Sequence, residues 1–292
     1  MNETEIKKQE AIKELSIWFA STNCKSLYYD EPLSTIQNNL QEAKLKKSTR
    51  LSFESIELWY SNNFVYHGLT DKTPLNPAMP ATYGYFAVEL TSLMAKSYPD
   101  NPPNLDFHKT AYYLANVLIQ RWESQTDKML EWIVNGLPTK LLKGGQDFKV
   151  AAWFIINLAC KVFVHNLTTE KYNYPSDMGV YQQVLDRWDT QDINEVDKMV
   201  SELCDYHLTQ ATFGDGRNVM GIQFNSAAEF VYAYEILAWL SLREMSKLQN
   251  PAAYTHPLMQ LPINRLQKVI TPYNTTELYE RVLSRVNEEI KS

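Results

Sequence analysis

The chain has 292 residues, of which 45% are hydrophobic and 12% aromatic, and its formal net charge is −6. This composition excludes a disordered chain, because it supplies enough apolar surface for a folded core. The negative charge argues against a nucleic-acid-binding protein, which needs clustered lysines and arginines to contact phosphates.

Neither a secretory signal nor a membrane span is predicted. The first 15 residues are polar and charged, and the most apolar segment, 150–164, is interrupted by an asparagine and a lysine and is too short to cross a bilayer. Three cysteines form an odd and sparse set, which is typical of a protein with reduced thiols. A cytoplasmic protein without a membrane partner is therefore expected.

Apolar residues recur with helical spacing along the whole chain, and only 9 residues are glycine. The spacing predicts a first helix that ends near Ala20, a second that begins at Pro32, and helices over 53–66, 83–95, 107–125 and 129–134. In the second half it predicts helices over 148–166, 180–188, 193–210 and 227–248, and a last helix from Thr275. Prolines predict a loop at 70–80, and irregular structure is expected at 217–224 and 251–272.

These segments predict an all-α protein, a helical bundle of about eight to eleven helices. A boundary is expected near residues 138–145, where glycines and a proline interrupt the helical pattern. It divides an N-terminal helical part, residues 1–140, from a C-terminal helical part, residues 141–292. The two parts are expected either to pack as one body or to form two packed sub-bundles.

The negative charge is concentrated in one place, residues 186–205, which we call the acidic segment. Seven acids lie there against one arginine and one lysine, a net charge of −5 out of −6. Two interpretations are open: a solvated face, which charge runs usually are, or a docking surface for a basic partner that also includes Asp197. Four of the acids recur every third residue and would form one row on a single helix: Asp186, Asp189, Asp192 and Glu195.

Two glutamates lie within strongly apolar predicted helices. If they are buried, Glu89 and Glu235 need hydrogen-bond or cationic partners, or they must stay protonated. Such a pair could be catalytic, as in enzymes that use two carboxylates. We favour structural roles, in which each carboxylate bonds a tyrosine hydroxyl or a backbone amide of a loop.

Histidine and cysteine spacing gives only weak signals. Cys204 and His207 have C-x-x-H spacing, but zinc would need two further ligands and a nucleophile pair would need an orienting group. His256 precedes a proline, and its ring is expected to cap a helix end or to bond the core. We therefore interpret His207 and His256 as structural. Phosphate-binding glycine motifs are absent from the sequence, so no cofactor, metal or catalytic residue is predicted.

The order of motifs in the C-terminal half resembles one known family. Trp188 is followed by a helix with Cys204 and His207, then by the aromatic run 230–238 around Glu235, and then by the loop that contains His256. This order, over roughly residues 180–262, resembles the C-terminal domain of the PoNi-type immunity proteins that neutralise polymorphic nuclease toxins.

The resemblance implies a helical protein that binds a delivered nuclease toxin with acidic residues, blocks its active site and is not an enzyme. Nuclease domains are basic because they hold phosphates, so an acidic surface complements them. The acidic segment, identified from charge alone, fits this expectation. Two alternatives stay open: a small helical enzyme that uses Glu89, Glu235 or a histidine, and a helical adaptor that binds a protein through aromatic surfaces.

Overall fold

The computed structural model of the protein describes residues 1–70, 76–139, 141–144, 146–213 and 221–291. Twelve α-helices lie within these residues, which confirms the predicted all-α fold. Their bounds are α1 (Glu3–Ala20), α2 (Glu31–Asn39), α3 (Thr49–Thr70), α4 (Ala78–Ser97), α5 (Phe107–Ile119), α6 (Glu123–Gly136), α7 (Val150–Phe163), α8 (Val180–Arg187), α9 (Ile193–Gln210), α10 (Tyr234–Met245), α11 (Pro257–Gln260) and α12 (Glu277–Lys291). The count exceeds the predicted eleven because it includes α11, which has only four residues.

The described strands are two residues long each. β1 (Leu105–Asp106) and β2 (Leu142–Lys143) pair in parallel. A π-helix, Ser26–Asp30, leads directly into α2, and a 3-10 turn, Pro262–Asn264, follows α11. The segment 251–272, which was expected to be irregular, therefore contains two short helical elements. The loops predicted at 70–80 and 217–224 lie partly outside the described residues.

The predicted helix over 107–125 is wrong, because the chain breaks between α5 and α6. Arg121 has a φ of 57°, a left-handed conformation that an α-helix does not contain. Tertiary contacts hold the break: the Arg121 guanidinium bonds the Glu244 carboxylate, and the Trp122 ring nitrogen donates to the Thr271 carbonyl at 2.7 Å. The helix after the break, α6, is correspondingly longer than the predicted 129–134.

The predicted helix over 227–248 is also wrong at its beginning, because α10 starts only at Tyr234. Residues before it take turns that one buried side chain stabilises. Asn264 accepts a hydrogen bond from the Ala233 amide at 3.0 Å and donates to the Val231 carbonyl at 2.8 Å. These bonds replace the helical pairing that the apolar run 230–238 favours on its own, so Glu235 lies in the first turn of α10.

The core is built around α4 and α5. Only Lys109 among the 13 residues of α5 is not buried. Helix α4 packs against α3, α5 and α12, and α5 packs against α7 and α10. Buried residues of both halves of the chain belong to one hydrophobic cluster. The division at residues 138–145 into two domains stays a prediction.

All three cysteines are buried and free of disulfides. Burial raises the pKa of the Cys160 thiol to about 12, which suits a small apolar core residue. Within the described ranges, no helix combines the length and the apolar character that a membrane span requires.

Helices α4 and α5 approach each other closely at Gly84. A Cβ atom at this position would lie 2.8 Å from Cδ1 of Tyr113, whose ring is fixed in the core. The close approach therefore leaves no room for a side chain at Gly84, although glycine is an unfavourable residue inside a helix.

We expect Gly84→Ala to destabilise the protein by about 1–3 kcal/mol, because the overlap with Tyr113 outweighs the roughly 1 kcal/mol that alanine gains in helix propensity. Urea unfolding of the variant and the wild type measures the difference. A gain in stability would contradict the prediction and would mean that the two helices have room to separate.

Candidate functional site

The acidic segment does not form one row on one helix. Asp186 lies in the last turn of α8, Asp189 and Asp192 lie in the turn that follows, and Glu195 and Asp197 lie in α9. The chain reverses between the two helices, so an interval of three residues does not place these acids side by side. Asp186, Asp189 and Asp192 are exposed, whereas Glu195 and Asp197 are partly buried.

Three of the five predicted partner-binding acids have structural roles. Asp192 is the N-cap of α9 and accepts a hydrogen bond from the Asn194 amide at 2.9 Å. Glu195 pairs with the Arg187 guanidinium and accepts from the Thr190 hydroxyl. Asp197 accepts from the amide and hydroxyl of Thr255 at 3.0 and 2.9 Å. The residues that remain available to a partner are Asp186 and Asp189.

A buried arginine fixes the backbone of the α8–α9 turn, residues 188–192, from the protein interior. Arg243 is fully buried and donates to the carbonyls of Trp188 at 2.7 Å and Thr190 at 2.9 Å. It also donates to the Gln249 carbonyl at 2.7 Å and to the Asn250 side chain at 3.0 Å. Burial lowers the pKa of the guanidinium, and the charge of Asp189 opposes that shift. The turn is therefore fixed, and its acids project from a rigid base.

His207 and Glu235, which the sequence treats separately, form one buried pair. The Nδ1 atom of His207 lies 2.8 Å from Oε1 of Glu235, and both side chains are fully buried. Nε2 of His207 lies 2.9 Å from the Glu229 carbonyl, which can only accept, so Nε2 carries a proton. Phe224 stacks on the imidazole at 3.9 Å. This position in the core suits the structural roles expected of both residues.

Glu89 and His256 also contact the partner types expected from the sequence. Glu89 accepts hydrogen bonds from the hydroxyls of Tyr279 at 2.8 Å and Tyr85 at 3.4 Å. Burial raises its pKa, although the bond from Tyr279 opposes the rise. His256 is the N-cap of α11: its Nδ1 accepts from the Leu258 amide at 3.1 Å.

Cys204 is a core residue rather than a nucleophile. Burial, together with the charge of Glu235, raises the pKa of its thiol well above the usual value, which keeps it protonated. The imidazole of His207 is directed to Glu235 and to a carbonyl. Among the described residues, no group of three or more histidines, cysteines, aspartates and glutamates is arranged to hold a metal ion.

A second candidate site is a cavity of about 450 Å³ between α3 and α5. The sequence gives no indication of it. We call it the α3–α5 cavity. One face of α3 lines it, together with the first turns of α5, Lys149 before α7, and the segment 225–229 before α10. Its lining contains four carboxyls, two lysines and one histidine: Glu54, Glu57, Asp106, Glu229, Lys109, Lys149 and His108.

Two glutamates of the cavity have opposite pKa shifts. Burial raises the pKa of Glu57 to about 8, although a hydrogen bond from Ser61 opposes the rise. For Glu229 burial acts in the same direction, but bonding and charge from His108 and the amides of Ser226 and Asn225 outweigh it and hold the pKa below its usual value. Such a divergent pair, one protonated and one ionised near neutral pH, is a feature of functional sites.

Glu57 and Glu229 were missed for different reasons. Glu57 follows Phe53 by four residues and precedes Ser61 by four, so it lies on the buried face of α3, a spacing that the sequence contains. Glu229 falls in a segment that was predicted as helix. In the structure this segment forms turns instead, and the amides of Asn225 and Ser226 each donate to Oε2 of Glu229 at 3.1 Å.

We expect Glu235→Ala to lower the free energy of unfolding by about 3–5 kcal/mol, because it leaves the buried His207 Nδ1 without its partner. Urea unfolding measures this loss. Glu235→Gln is the control, since the glutamine amide can still form a hydrogen bond with Nδ1 and should cost much less. A stable but inactive Glu235→Ala protein would contradict a structural role.

We expect Glu57→Gln to change how stability depends on pH. The folded pKa of about 8 exceeds the ordinary 4.5, so the folded wild type binds more protons, and its unfolding free energy falls as pH rises between these values. Glutamine cannot titrate, so at pH 9 the variant should be more stable than the wild type by on the order of 1–3 kcal/mol. Unfolding curves at pH 5, 7 and 9 test this, and parallel pH profiles for the two proteins would contradict it.

Comparisons of the chain with protein-family models, curated proteins and solved structures give no match. The resemblance of residues 180–262 to PoNi-type immunity proteins stays a prediction. The features that bear on function are thus the exposed acids on the α8–α9 turn and the charged α3–α5 cavity.

Proposed function

We propose that this protein binds and neutralises a basic toxin domain, in the manner of an immunity protein, and that Asp186 and Asp189 belong to the contact surface. Two independent features support the proposal: the order of motifs over residues 180–262 and the concentration of acid in the acidic segment. The protein itself catalyses no reaction in this role. The partner would be a nuclease, whose phosphate-binding surface is basic.

The observation that carries the proposal is the support of the α8–α9 turn by Arg243. A surface loop that is ordered only on binding pays an entropic cost, whereas a turn already fixed by buried hydrogen bonds does not. The fully buried Arg243 guanidinium donates to the carbonyls of Trp188 and Thr190, on either side of Asp189, and two further bonds anchor it to Gln249 and Asn250. The charges are therefore preorganised for a partner.

The acids of the turn and of α9 differ in how much of their charge they offer to a partner. Glu195 pairs with the Arg187 guanidinium, which offsets its charge, whereas Asp192 and Asp197 accept hydrogen bonds from neutral donors and keep theirs. Among the described residues, Asp186 accepts from the neutral Gln182 side chain at 2.8 Å and also keeps its charge. Asp186 and Asp189 are exposed and hold no other segment of the chain in place, so direct contact with a partner would come mainly from them.

A cytoplasmic location belongs to the same proposal, because an immunity protein must meet the toxin where its substrate lies. The buried, free cysteines suit a reducing compartment. No cofactor or metal is needed for inhibition by occlusion, and neither a nucleic acid nor a membrane is a partner in this role.

We expect the double reversal Asp186→Lys and Asp189→Lys to slow association with the toxin domain by about an order of magnitude at low salt, mainly through the association rate. The partner to test is the basic C-terminal domain of a toxin encoded beside this gene. Stopped-flow binding at several salt concentrations measures the rate, and co-expression of the two proteins measures protection of the host.

The matched control is Asp100→Lys with Glu131→Lys, which changes the net charge equally at exposed positions of other segments. This variant should associate almost as fast as the wild type. Asp192→Asn removes charge but keeps a capping side chain, so it should fold normally. Equal rates for both double reversals, or the absence of a toxin gene beside this one, would contradict the proposal.

A further inference from the structure

The α3–α5 cavity is separate from the proposed toxin-binding surface, since none of its lining residues belongs to α8 or α9. Its volume of about 450 Å³ falls within the range of small-molecule sites, roughly 300–1,000 Å³. Polar groups are buried in its wall without full satisfaction: His108 is 9% exposed, and its Nδ1 has no hydrogen-bond partner among the described residues. The cavity therefore has the size and the unsatisfied polar groups of a binding site.

Apart from Glu57, the charged side chains in the wall lie near an opposite charge or bond the backbone. Glu54 bonds Arg50 and lies 3.7 Å from the Lys109 amine, and Glu229 lies 3.5 Å from Nε2 of His108. Lys149 donates to the Ile222 carbonyl. Asp106 is exposed and caps α5.

Glu57 is the exception. It is 4% exposed, and no lysine, arginine or histidine nitrogen of the described residues lies within the 4 Å of an ion pair. The hydrogen bond that it accepts comes from the Ser61 hydroxyl, which in turn lies 2.9 Å from the Tyr112 hydroxyl. The charge of Lys109 favours the ionised form of Glu57, and the charges of Glu54 and Glu229 oppose it. A buried carboxyl in this position lacks a counter-ion.

We propose that the α3–α5 cavity binds a small organic cation, a protonated amine or a guanidinium on a short apolar body, with Glu57 as its counter-ion. The proposal does not rest on the toxin-binding function. A positive group of the ligand beside Glu57 would be the counter-ion that the protein does not provide. The resulting ion pair would be strong, because the carboxylate is also hydrogen-bonded and the local dielectric is low.

The rest of the wall suits the apolar body of such a ligand. Leu51 and Leu58 of α3, Tyr112 and Tyr113 of α5, and Ala228 also line the cavity. Aromatic rings also attract a cation through their negative faces. A purely anionic ligand fits less well, because the lining holds four carboxyls against two lysines and the amine of Lys149 is already engaged.

Binding of a cation should release a proton. The free Glu57 is mostly protonated at pH 7, since its pKa is raised to about 8, and a neighbouring positive charge favours the ionised form. Close to one proton per ligand should therefore leave at pH 7, and less at pH 9, where Glu57 is already ionised. A ligand bound elsewhere on the surface would show no such release.

The experiment uses agmatine, which carries an amine and a guanidinium on a short alkyl chain, and butyrate as the probe of opposite charge. Isothermal titration calorimetry at pH 7 in phosphate and in Tris, whose ionisation enthalpies differ, gives both affinity and proton release on the wild-type protein. We expect saturable binding of agmatine with proton release, and none of butyrate. Glu57→Gln should weaken agmatine binding at least tenfold and abolish the release.

Glu89→Gln is the matched control. Glu89 is likewise a largely buried glutamate with a raised pKa that accepts from a hydroxyl, in its case that of Tyr279, but it does not line the cavity. This variant should bind agmatine as the wild type does, with folding of both variants checked by circular dichroism. No saturable binding of agmatine at millimolar concentrations, binding without proton release, or stronger binding of butyrate would each overturn the proposal.

Discussion

Buried polar side chains that bond the backbone between helices hold this fold together. Backbone groups removed from water need partners, and segments outside helices have no regular pairing to supply them. Arg243 supplies partners to the α8–α9 turn, Asn264 to the residues before α10, and His207 to the Glu229 carbonyl. With few glycines in the chain, these side chains rather than tight turns fix the connections. The α8–α9 turn and the segment 225–229, which forms one wall of the α3–α5 cavity, are both held in this way.

The buried pair and the α3–α5 cavity are mechanically connected through one residue. Glu235 orients His207, whose Nε2 donates to the backbone of Glu229, while the Glu229 side chain lines the cavity. The amides of Asn225 and Ser226 fix the carboxylate from the other side. Loss of the pair would therefore move a wall of the cavity as well as weaken the core. A structural residue can thus affect a ligand that it does not touch.

Helical periodicity predicted the fold class because it depends on local spacing alone. The break at Arg121 and the start of α10 at Tyr234 were not predictable from the sequence. Hydrogen bonds to residues more than 20 positions away along the chain determine both. The acidic segment was visible in the sequence, but which acids bond their own chain depends on the reversal between α8 and α9. Glu57 lies within the predicted helix over 53–66 at helical spacing from Phe53 and Ser61, but that it lines a cavity without an ion-pair partner is a property of tertiary packing.

The two candidate sites differ in how strongly the position of a charged residue indicates a function. Exposed acids such as Asp186 and Asp189 cost little in water, so solubility alone could retain them, and their orientation on a fixed turn is the more specific feature. A carboxyl as deeply buried as Glu57 is costly without a counter-ion, and a glutamine or leucine there would avoid that cost. A carboxyl at this position therefore fits the cation site proposed for the cavity better than a role in packing. The cost is smallest when Glu57 is protonated in the empty cavity and ionised when a cation is present, which couples occupancy of the site to the uptake and release of a proton.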